Sequence, residues 1–346
     1  MLCFLRDATG KKDVVQLEGK EAFCYNKKKV TETCPKPLGG IMRIYTLTLN
    51  PAYDVHVHTA QFAPYHENIA TVLSREAGGK GVNISRALQN AHVDNTAVVV
   101  IGADNAAAYR QMLSRTGLSV LEIERPGSIR ENLTLHCDNG PETRISFSGF
   151  AVEDSILDEI FAHIQPDGET ILTMTGRIAE GMSMEKVKAF LRKSAACGAK
   201  IVVDSRSFSL SDLAEVKPWL IKPNQEEISA YCGEKVEDME TALAKARQIA
   251  SLGIANTMIS MGAQGALLIT GAQTYCAKAP QVQAVSSIGA GDSAIAGFLA
   301  ATVRGEDSAG RLASAVAFGT AACLTEGTQP PTEEMIRTLL PQIQIS

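Results

Sequence analysis

The sequence predicts an α/β fold with a mostly parallel central sheet, helices on both faces and a small β lid beside it. Three observations predict it. Short runs rich in β-branched residues alternate with amphipathic stretches through residues 42–346, the order of repeated βα units. The run Ala97-Val98-Val99-Val100-Ile101 is apolar at every position, as in a parallel strand covered on both faces. Two more polar β segments, near 53–77 and 130–150, interrupt the βα order early. They do not fit a doubly covered sheet and are expected to form a lid over it.

A chain of 346 residues holds one large α/β domain or two small ones, and 45% apolar content is ample for a core. A net charge of −5 and a single Trp leave neither a basic stripe nor a stacking platform, so nucleic acid is not an expected partner. No apolar run approaches the roughly 18 residues of a membrane span, and no long apolar segment marks a secretory signal at the N-terminus. The eight cysteines form no C-x-x-C pair and read as reduced, mostly buried thiols of a cytoplasmic protein, not as a zinc site.

Residues 1–41 are polar, with Lys27-Lys28-Lys29 and then Pro35, Pro37, Gly39 and Gly40. They are expected to be a loosely ordered N-terminal extension, the lysines in a solvated loop. The main domain then spans 42–346. Residues 44–49 form its first strand, and Asn50-Pro51-Ala52-Tyr53-Asp54 ends it in a turn. Asp54 stands where α/β sheets bind ligands, though an Asx turn explains it equally. Residues 55–58 and 69–73 alternate like strands, and His56 and His58 share a face without further metal ligands nearby.

Gly78-Gly79-Lys80-Gly81-Val82-Asn83 opens a helix marked by Ile84, Ala87, Leu88 and Ala91 at i, i+3, i+4 and i+7. Its spacing is not that of a Walker A loop. The glycines admit a polar ligand and Asn83 both donates and accepts; the alternative is a flexible turn with a surface lysine. A helix follows near 106–115. Arg130 leads into a hairpin, 133–136 against 144–147, around Asp138-Asn139-Gly140. Next come a helix near 153–163, a strand at 170–174, then Thr175-Gly176-Arg177, a helix over 183–197 stopped by Gly198, and a strand at 201–204.

In Lys222-Pro223-Asn224-Gln225-Glu226-Glu227 a strand stops and a helix starts. Asn224 and Glu227 have capping-box spacing; the alternative role is to reach a magnesium–phosphate cluster. A helix over 238–251 precedes strands at 257–260 and 266–269, joined by a glycine turn. The last predicted helix, 308–323, is rich in small residues that suit close packing or a flat ligand.

Between them lies Ser287-Ile288-Gly289-Ala290-Gly291-Asp292, followed by an apolar helical run. Glycines at a helix start let N–H groups and the dipole meet an anion, and Asp292 adds a carboxylate. That set suits phosphoryl transfer: the donors hold charge and the carboxylate takes a proton. A helix cap is the plainer account of Asp292. Gly289-x-Gly291 also fits a loose dinucleotide fingerprint, but it lies too late in the chain.

Taken together, the 78–83 and 287–292 motifs, Asn-Pro-Ala-Tyr-Asp at 50–54 and Lys-Pro-Asn-x-x-Glu at 222–227 resemble the PfkB, or ribokinase-like, carbohydrate kinases. The resemblance covers nearly all of 42–346 and is nearest to the 1-phosphofructokinase and tagatose-6-phosphate kinase branch. It implies a ribokinase-like fold and Asp292 as catalytic base, with Gly289, Ala290 and Gly291 as the anion hole for ATP. It implies Asp54, Gly79, Lys80, Asn83 and Arg130 for the phosphosugar. Asn224 and Glu227 would organise Mg2+ and ATP phosphate, directly or through water, while Ser260, Gly262 and Gly265 lie on the nucleotide side. A homodimer through the lid strands is implied as well.

Two departures stand out. Arg177 replaces a small residue of the family pattern near the substrate phosphate, and Tyr65-His66-Glu67-Asn68-Ile69 lacks the usual basic residue. Arg177 is therefore expected to supply that charge. The expected activity is ATP- and Mg2+-dependent conversion of fructose 1-phosphate to fructose 1,6-bisphosphate. Tagatose-6-phosphate kinase or another sugar or nucleoside kinase is the alternative, and a non-catalytic sugar-phosphate sensor is the rival of another class.

Overall fold

The structure, a computed structural model, describes residues 42–346 and the two strands Cys3–Arg6 and Lys12–Val15. Those two strands pair antiparallel. The rest of residues 1–41, and with it the expected loose order of the extension, lies outside the described residues.

Ten strands form the central sheet. Its middle runs Asn256–Ser260, Leu220–Ile221, Lys200–Asp204, Thr170–Thr175, Arg43–Thr48, Asn95–Gly102 and Ser119–Arg125, every neighbour parallel. Beyond Asn256–Ser260, the strands Ala266–Thr270, Gln273–Lys278 and Gln344–Ile345 are added antiparallel. Successive residues point to opposite faces of a strand. Ile171, Val202 and Met258 accordingly join one core with the Lys80–Asn90, Ala290–Val303 and Ser308–Ala322 helices. Leu172, Val203 and Ile259 join the other, with the Ile156–Ile164, Met184–Ala196 and Met239–Ala250 helices.

The chain enters this sheet in the middle, at Arg43–Thr48. It builds outward one way to Ser119–Arg125, then returns to start the other half at Thr170–Thr175. The order reverses between these two adjacent strands, which leaves a crevice beyond their C-terminal ends.

Above this crevice stands the lid, a four-stranded sheet ordered Thr71–Gly78, Ala52–Thr59, Arg130–Cys137, Thr143–Ser146. Its middle pair is parallel and its outer pairs antiparallel. Both interrupting segments therefore do form one small sheet. Asp54 departs from the expected turn: it is the third residue of the Ala52–Thr59 strand. The alternation begins at Ala52, because Tyr53, Val55 and Val57 fill a third core with Ile101, Tyr109 and Leu113. Asp54, His56 and His58 are left on the opposite face.

Ser119–Arg125, Leu210–Val216, Gln273–Lys278 and Glu333–Leu339 form elements not expected from the sequence. Ser119–Arg125 and Gln273–Lys278 are largely half-exposed and carry polar residues, so they lack the apolar signature of the central strands. The thiols of Cys137, Cys232, Cys276 and Cys323 are free and half-buried, where burial was expected. No helix among the described residues is long and apolar enough to cross a membrane.

Candidate active site

The crevice collects residues from several separate segments. The Lys80–Asn90 helix begins at Gly79, whose φ of 132° is one that side chains rarely adopt. The Ala290–Val303 helix begins at Gly289, also left-handed at φ 77°. First-turn N–H groups have no carbonyl a turn below them, so each helix presents donors at its mouth. Gly291 and Asp292 lie in that first turn. Asn83 Nδ2 donates to Asp292 Oδ2 at 3.0 Å, which brings the two helix starts together.

Asp292 is only 6% exposed. Burial pushes its carboxyl up to about 6, against the pull of Lys80, Asn83 and Lys222, and Asp204 adds to the push. Asn83 Oδ1 is buried without a hydrogen-bond partner. An orphaned acceptor beside a carboxylate fits a polar ligand bearing hydroxyls.

Beside Asp292 lies a charge cluster, buried at Asp204 and Lys222 and partly exposed at Lys80. Lys80 Nζ donates to Asp204 Oδ2 at 2.7 Å, and Lys222 Nζ stands 3.4 Å from Asp204 Oδ1. Burial pushes the Asp204 carboxyl up, but Lys222 and Lys80 outweigh it and hold it below the usual range. Burial likewise pulls Lys80 down, yet Asp204, Asp292 and Glu227 together keep its ammonium above the ordinary lysine value.

On the lid side, Asp54 is buried and accepts a hydrogen bond from Asn132 Nδ2 at 2.9 Å. A Cβ on Gly78 would come within 1.9 Å of Asp54 Oδ2, so the 78–83 turn packs directly on this carboxylate. Burial raises the Asp54 carboxyl; the Asn132 bond and the charges of Arg144, His56 and Arg130 pull it back. Arg130 Nη1 donates to Asn132 Oδ1 at 2.8 Å, while its Nε is buried without a partner. Burial lowers Arg130, Asp54 lifts it, and the nearby positive charge of Arg177 lowers it again. Arg177 is exposed, two residues past the Thr170–Thr175 strand. Neither it nor Arg144 pairs with a carboxylate among the described residues. Unpaired guanidinium donors around the lid mouth fit an anionic substrate group.

On the far side, Asn224 and Glu227 form the capping box: Asn224 Oδ1 accepts from the Glu227 N–H at 2.8 Å, and Glu227 Oε2 from the Asn224 N–H at 3.1 Å. Glu227 Oε1 also takes Arg206 Nε at 3.0 Å. The cap is real, and it does not isolate Glu227 from the crevice, since its charge acts on Lys80. Ser260 bridges to Asn224, its N–H bonded to Pro223 O at 3.1 Å. Gly262 opens the short turn Gly262–Gln264, and a Cβ on Gly265 would meet Ala277 O at 2.0 Å, so the fold itself demands that glycine.

Gly79, Lys80, Asn83, Gly289, Ala290, Gly291 and Asp292 thus come together at two helix starts, with Asp54 packed on Gly78 and Arg177 near Arg130; Ser260 pairs with Asn224 beside Glu227, and Gly262 and Gly265 follow Ser260 in the chain. Asp204, Lys222 and Arg144 are not among the site residues expected from the sequence. Asp204 ends a parallel strand, the same placement that drew notice to Asp54. His56 does not make a metal pair with His58: its Nδ1 lies 3.0 Å from His136 Nε2, and His58 bonds Asp138 at 2.9 Å. No group of three metal-binding side chains occurs among the described residues.

Comparison with known proteins agrees with this geometry. The model of the pfkB family carbohydrate kinases matches residues 50–335. The chain is 29% identical to the 1-phosphofructokinase of Vibrio cholerae over 306 residues, 88% of this chain and 96% of that one. It is 31% identical to the 1-phosphofructokinase of Escherichia coli over 282 residues, covering 80% and 89% of the two chains. Among solved structures it resembles phosphofructokinase-2 from Escherichia coli in complex with substrates and products, with a TM-score of 0.81 at 26% identity over 87% of this chain and 99% of that one.

Proposed function

The chain belongs to the pfkB family of carbohydrate kinases, and from that premise we propose that it transfers the γ-phosphoryl group of ATP to the free primary hydroxyl of fructose 1-phosphate. The product is fructose 1,6-bisphosphate. The observation that carries this reading is the meeting of Asn83 with Asp292 at 3.0 Å, which sets a buried carboxylate beside an unpartnered acceptor where two helices start. The relatives named 1-phosphofructokinase support the choice of sugar. The unpaired guanidinium groups at the lid support a phosphorylated substrate over a neutral one.

Arg130 Nε and Arg177 bind the 1-phosphate, and Asp54 and Asn83 Oδ1 accept from sugar hydroxyls, so the primary hydroxyl is oriented toward Asp292. With a carboxyl near 6, Asp292 is largely ionised at neutral pH and accepts the proton as the hydroxyl oxygen bonds to phosphorus. The bond from phosphorus to the bridging oxygen of ATP breaks in the same displacement. N–H groups of the 289–292 turn and Lys80 hold the charge that shifts during transfer. Ser260, Gly262 and Gly265 flank the nucleotide. The lid strands cover the sugar and exclude water that would otherwise hydrolyse ATP.

Mg2+ fits the donor set on one condition. Both Glu227 oxygens are already engaged, so Asn224 and Glu227 would hold the ion through water, as Mg2+ commonly permits. When bound, it would neutralise phosphate charge.

The lid also exposes Ile69, Val72, Leu73, Ile145 and Phe147. Exposed apolar side chains on a sheet suit a second copy of the chain, and a homodimer through the lid is part of this proposal. An enzyme that draws on ATP and a phosphosugar is assigned to the cytoplasm.

The decisive experiment is ADP release measured over a panel of ketohexoses and aldohexoses, with and without a phosphate. Turnover is expected with fructose 1-phosphate ahead of tagatose 6-phosphate and far ahead of unphosphorylated sugars. Sugar binding by calorimetry without ADP release would instead make the protein a sensor.

A further inference from the structure

Among the buried titratable groups to which the mechanism gives no task is Asp204. Asp204 is 3% exposed and ends the Lys200–Asp204 strand, in register with Thr175 at the edge of the crevice. It carries two lysines from different segments. Lys80 comes from the first turn of the Lys80–Asn90 helix and is hydrogen-bonded at 2.7 Å. Lys222 comes from the segment before Asn224, is 3% exposed, and stands 3.4 Å away. That second distance exceeds the roughly 2.7–2.9 Å of a charge-assisted hydrogen bond. Lys222 is held by charge, and its donors are not committed to Asp204. Its Nζ lies 3.1 Å from where a Cβ on Gly291 would stand, against the turn that carries Asp292.

Two lysines and two aspartates thus cluster together, Asp204, Lys222 and Asp292 buried and the Lys80 side chain partly exposed. When all are ionised their charges cancel. A cluster kept for stability alone is a poor use of three buried charges and a partly exposed fourth, since apolar packing serves as well or better. The placement instead divides the two ammonium groups, one toward the 78–83 turn and one toward the 289–292 turn.

We propose that Asp204 is a positioning residue for phosphoryl transfer: it anchors Lys80 on the sugar side and Lys222 beside the anion turn, and it sets the charge under which Asp292 works. The proposal rests on the kinase reading above. The groups facing Asp292 are Lys80, Asn83, Lys222 and Asp204, and only Asp204 pushes its carboxyl upward alongside burial. Removing that one negative charge leaves two ammonium groups beside the base with only Asp292 itself to balance them.

The test compares pH profiles of kcat/KM for the full chain and its Asp204→Asn variant. The variant should lose about 10²-fold in kcat through misplaced lysines, and its acid limb should move to lower pH. A merely structural role would lower the amount of folded enzyme without moving the limb. Should Asp204→Asn fail to fold, Lys222→Met decides, because Asp204 then keeps Lys80. Loss of that cation should move the limb to higher pH and lower kcat, with the phosphosugar KM unchanged. An unmoved limb in the folded variant overturns the proposal. Asp292→Asn separates the two readings: if it still turns over, the kinase base is misassigned, whereas an inactive Asp292→Asn beside a wild-type-like Asp204→Asn removes only the positioning role.

Discussion

Asn83 and Asp292, 209 positions apart, are joined by a 3.0 Å hydrogen bond between the first turns of two helices. The amide nitrogen is the donor, so the carboxylate oxygen is the acceptor, and the bond favours the ionised form of Asp292. Burial works against it and wins, which leaves the carboxyl near 6. A base with that value is ionised at neutral pH yet retains appreciable affinity for a proton, as general-base catalysis requires.

Asp292→Asn preserves the shape of this contact and removes the base. The expected loss in kcat is roughly 10²–10⁴-fold, the usual range for general acid–base catalysis. Sugar binding measured by calorimetry should change little. In the wild-type protein kcat/KM should rise as pH increases through about 6 and then level off, in step with ionisation of Asp292. Retention of most of the turnover by the variant would remove Asp292 from the mechanism.

The same substitution should stabilise the fold. Asp292 has its folded-state value raised from 3.8 to about 6, so the folded protein holds its proton more tightly than the unfolded chain does. The stability this contributes is present below the unfolded value and is lost as pH rises through about 6. At pH 7–8 the ionised carboxylate is therefore a cost that Asn avoids, roughly 1–3 kcal/mol. Denaturant unfolding should show Asp292→Asn more stable than wild type at pH 8, with the gap narrowing toward pH 4. A gap that widens on acidification would contradict the electrostatic account.

Much of this arrangement is legible in the chain because it is local. Glycines ahead of a helical run announce a helix mouth whatever surrounds them, so 78–83 and 287–292 can be read as ligand turns. The runs 133–136 and 144–147 around Asp138-Asn139-Gly140 mark a hairpin in the same way. What escapes is set by distant pairing. Asp204 matters because Thr175 lies beside it in the sheet and because Lys80 and Lys222 reach it from opposite sides. No spacing along the chain encodes that. Asp54 shows the intermediate case: its polarity is plain, but whether it sits in a turn or a strand depends on Tyr53 finding Tyr109, whose ring centroid lies 5.6 Å away.

Arg177→Ala tests the phosphate end. Arg177 bears on Arg130 as a like charge and has no carboxylate partner among the described residues, an unfavourable setting that a bound dianion would relieve. Loss of one charge-assisted contact is worth about 1.5–3 kcal/mol. The KM for fructose 1-phosphate should rise about 10–100-fold by that measure, with the KM for ATP nearly unchanged. An unchanged phosphosugar KM would place the phosphate elsewhere.

Glu227→Gln separates cap from metal. The amide oxygen of Gln still accepts from the Asn224 N–H, so the helix start should survive and thermal stability should fall by no more than about 1 kcal/mol. Its charge is lost, along with the pair to Arg206. If Glu227 supports a hydrated Mg2+, the variant should need higher Mg2+ for half-maximal rate at saturating sugar. A Mg2+ dependence identical to wild type would reduce Glu227 to a capping residue.

Gly78→Ala should disable the sugar pocket by displacing Asp54, without replacing any proposed binding or catalytic side chain. The new methyl carbon would fall 1.9 Å from Asp54 Oδ2, far inside contact distance, and Asp54 has little room to withdraw because it is buried and tied to Asn132. Either the carboxylate rotates away from its position or the 78–83 turn lifts from the lid strand. Overpacking of this kind costs about 1–3 kcal/mol. The KM for the phosphosugar should rise while the KM for ATP holds, since the displaced groups lie on the sugar side. Gly168→Ala is the control: no atom lies within 4 Å of its added carbon, so neither constant should move. If Gly78→Ala also leaves both constants at wild-type values, the contact between the glycine turn and Asp54 is not what shapes the sugar site.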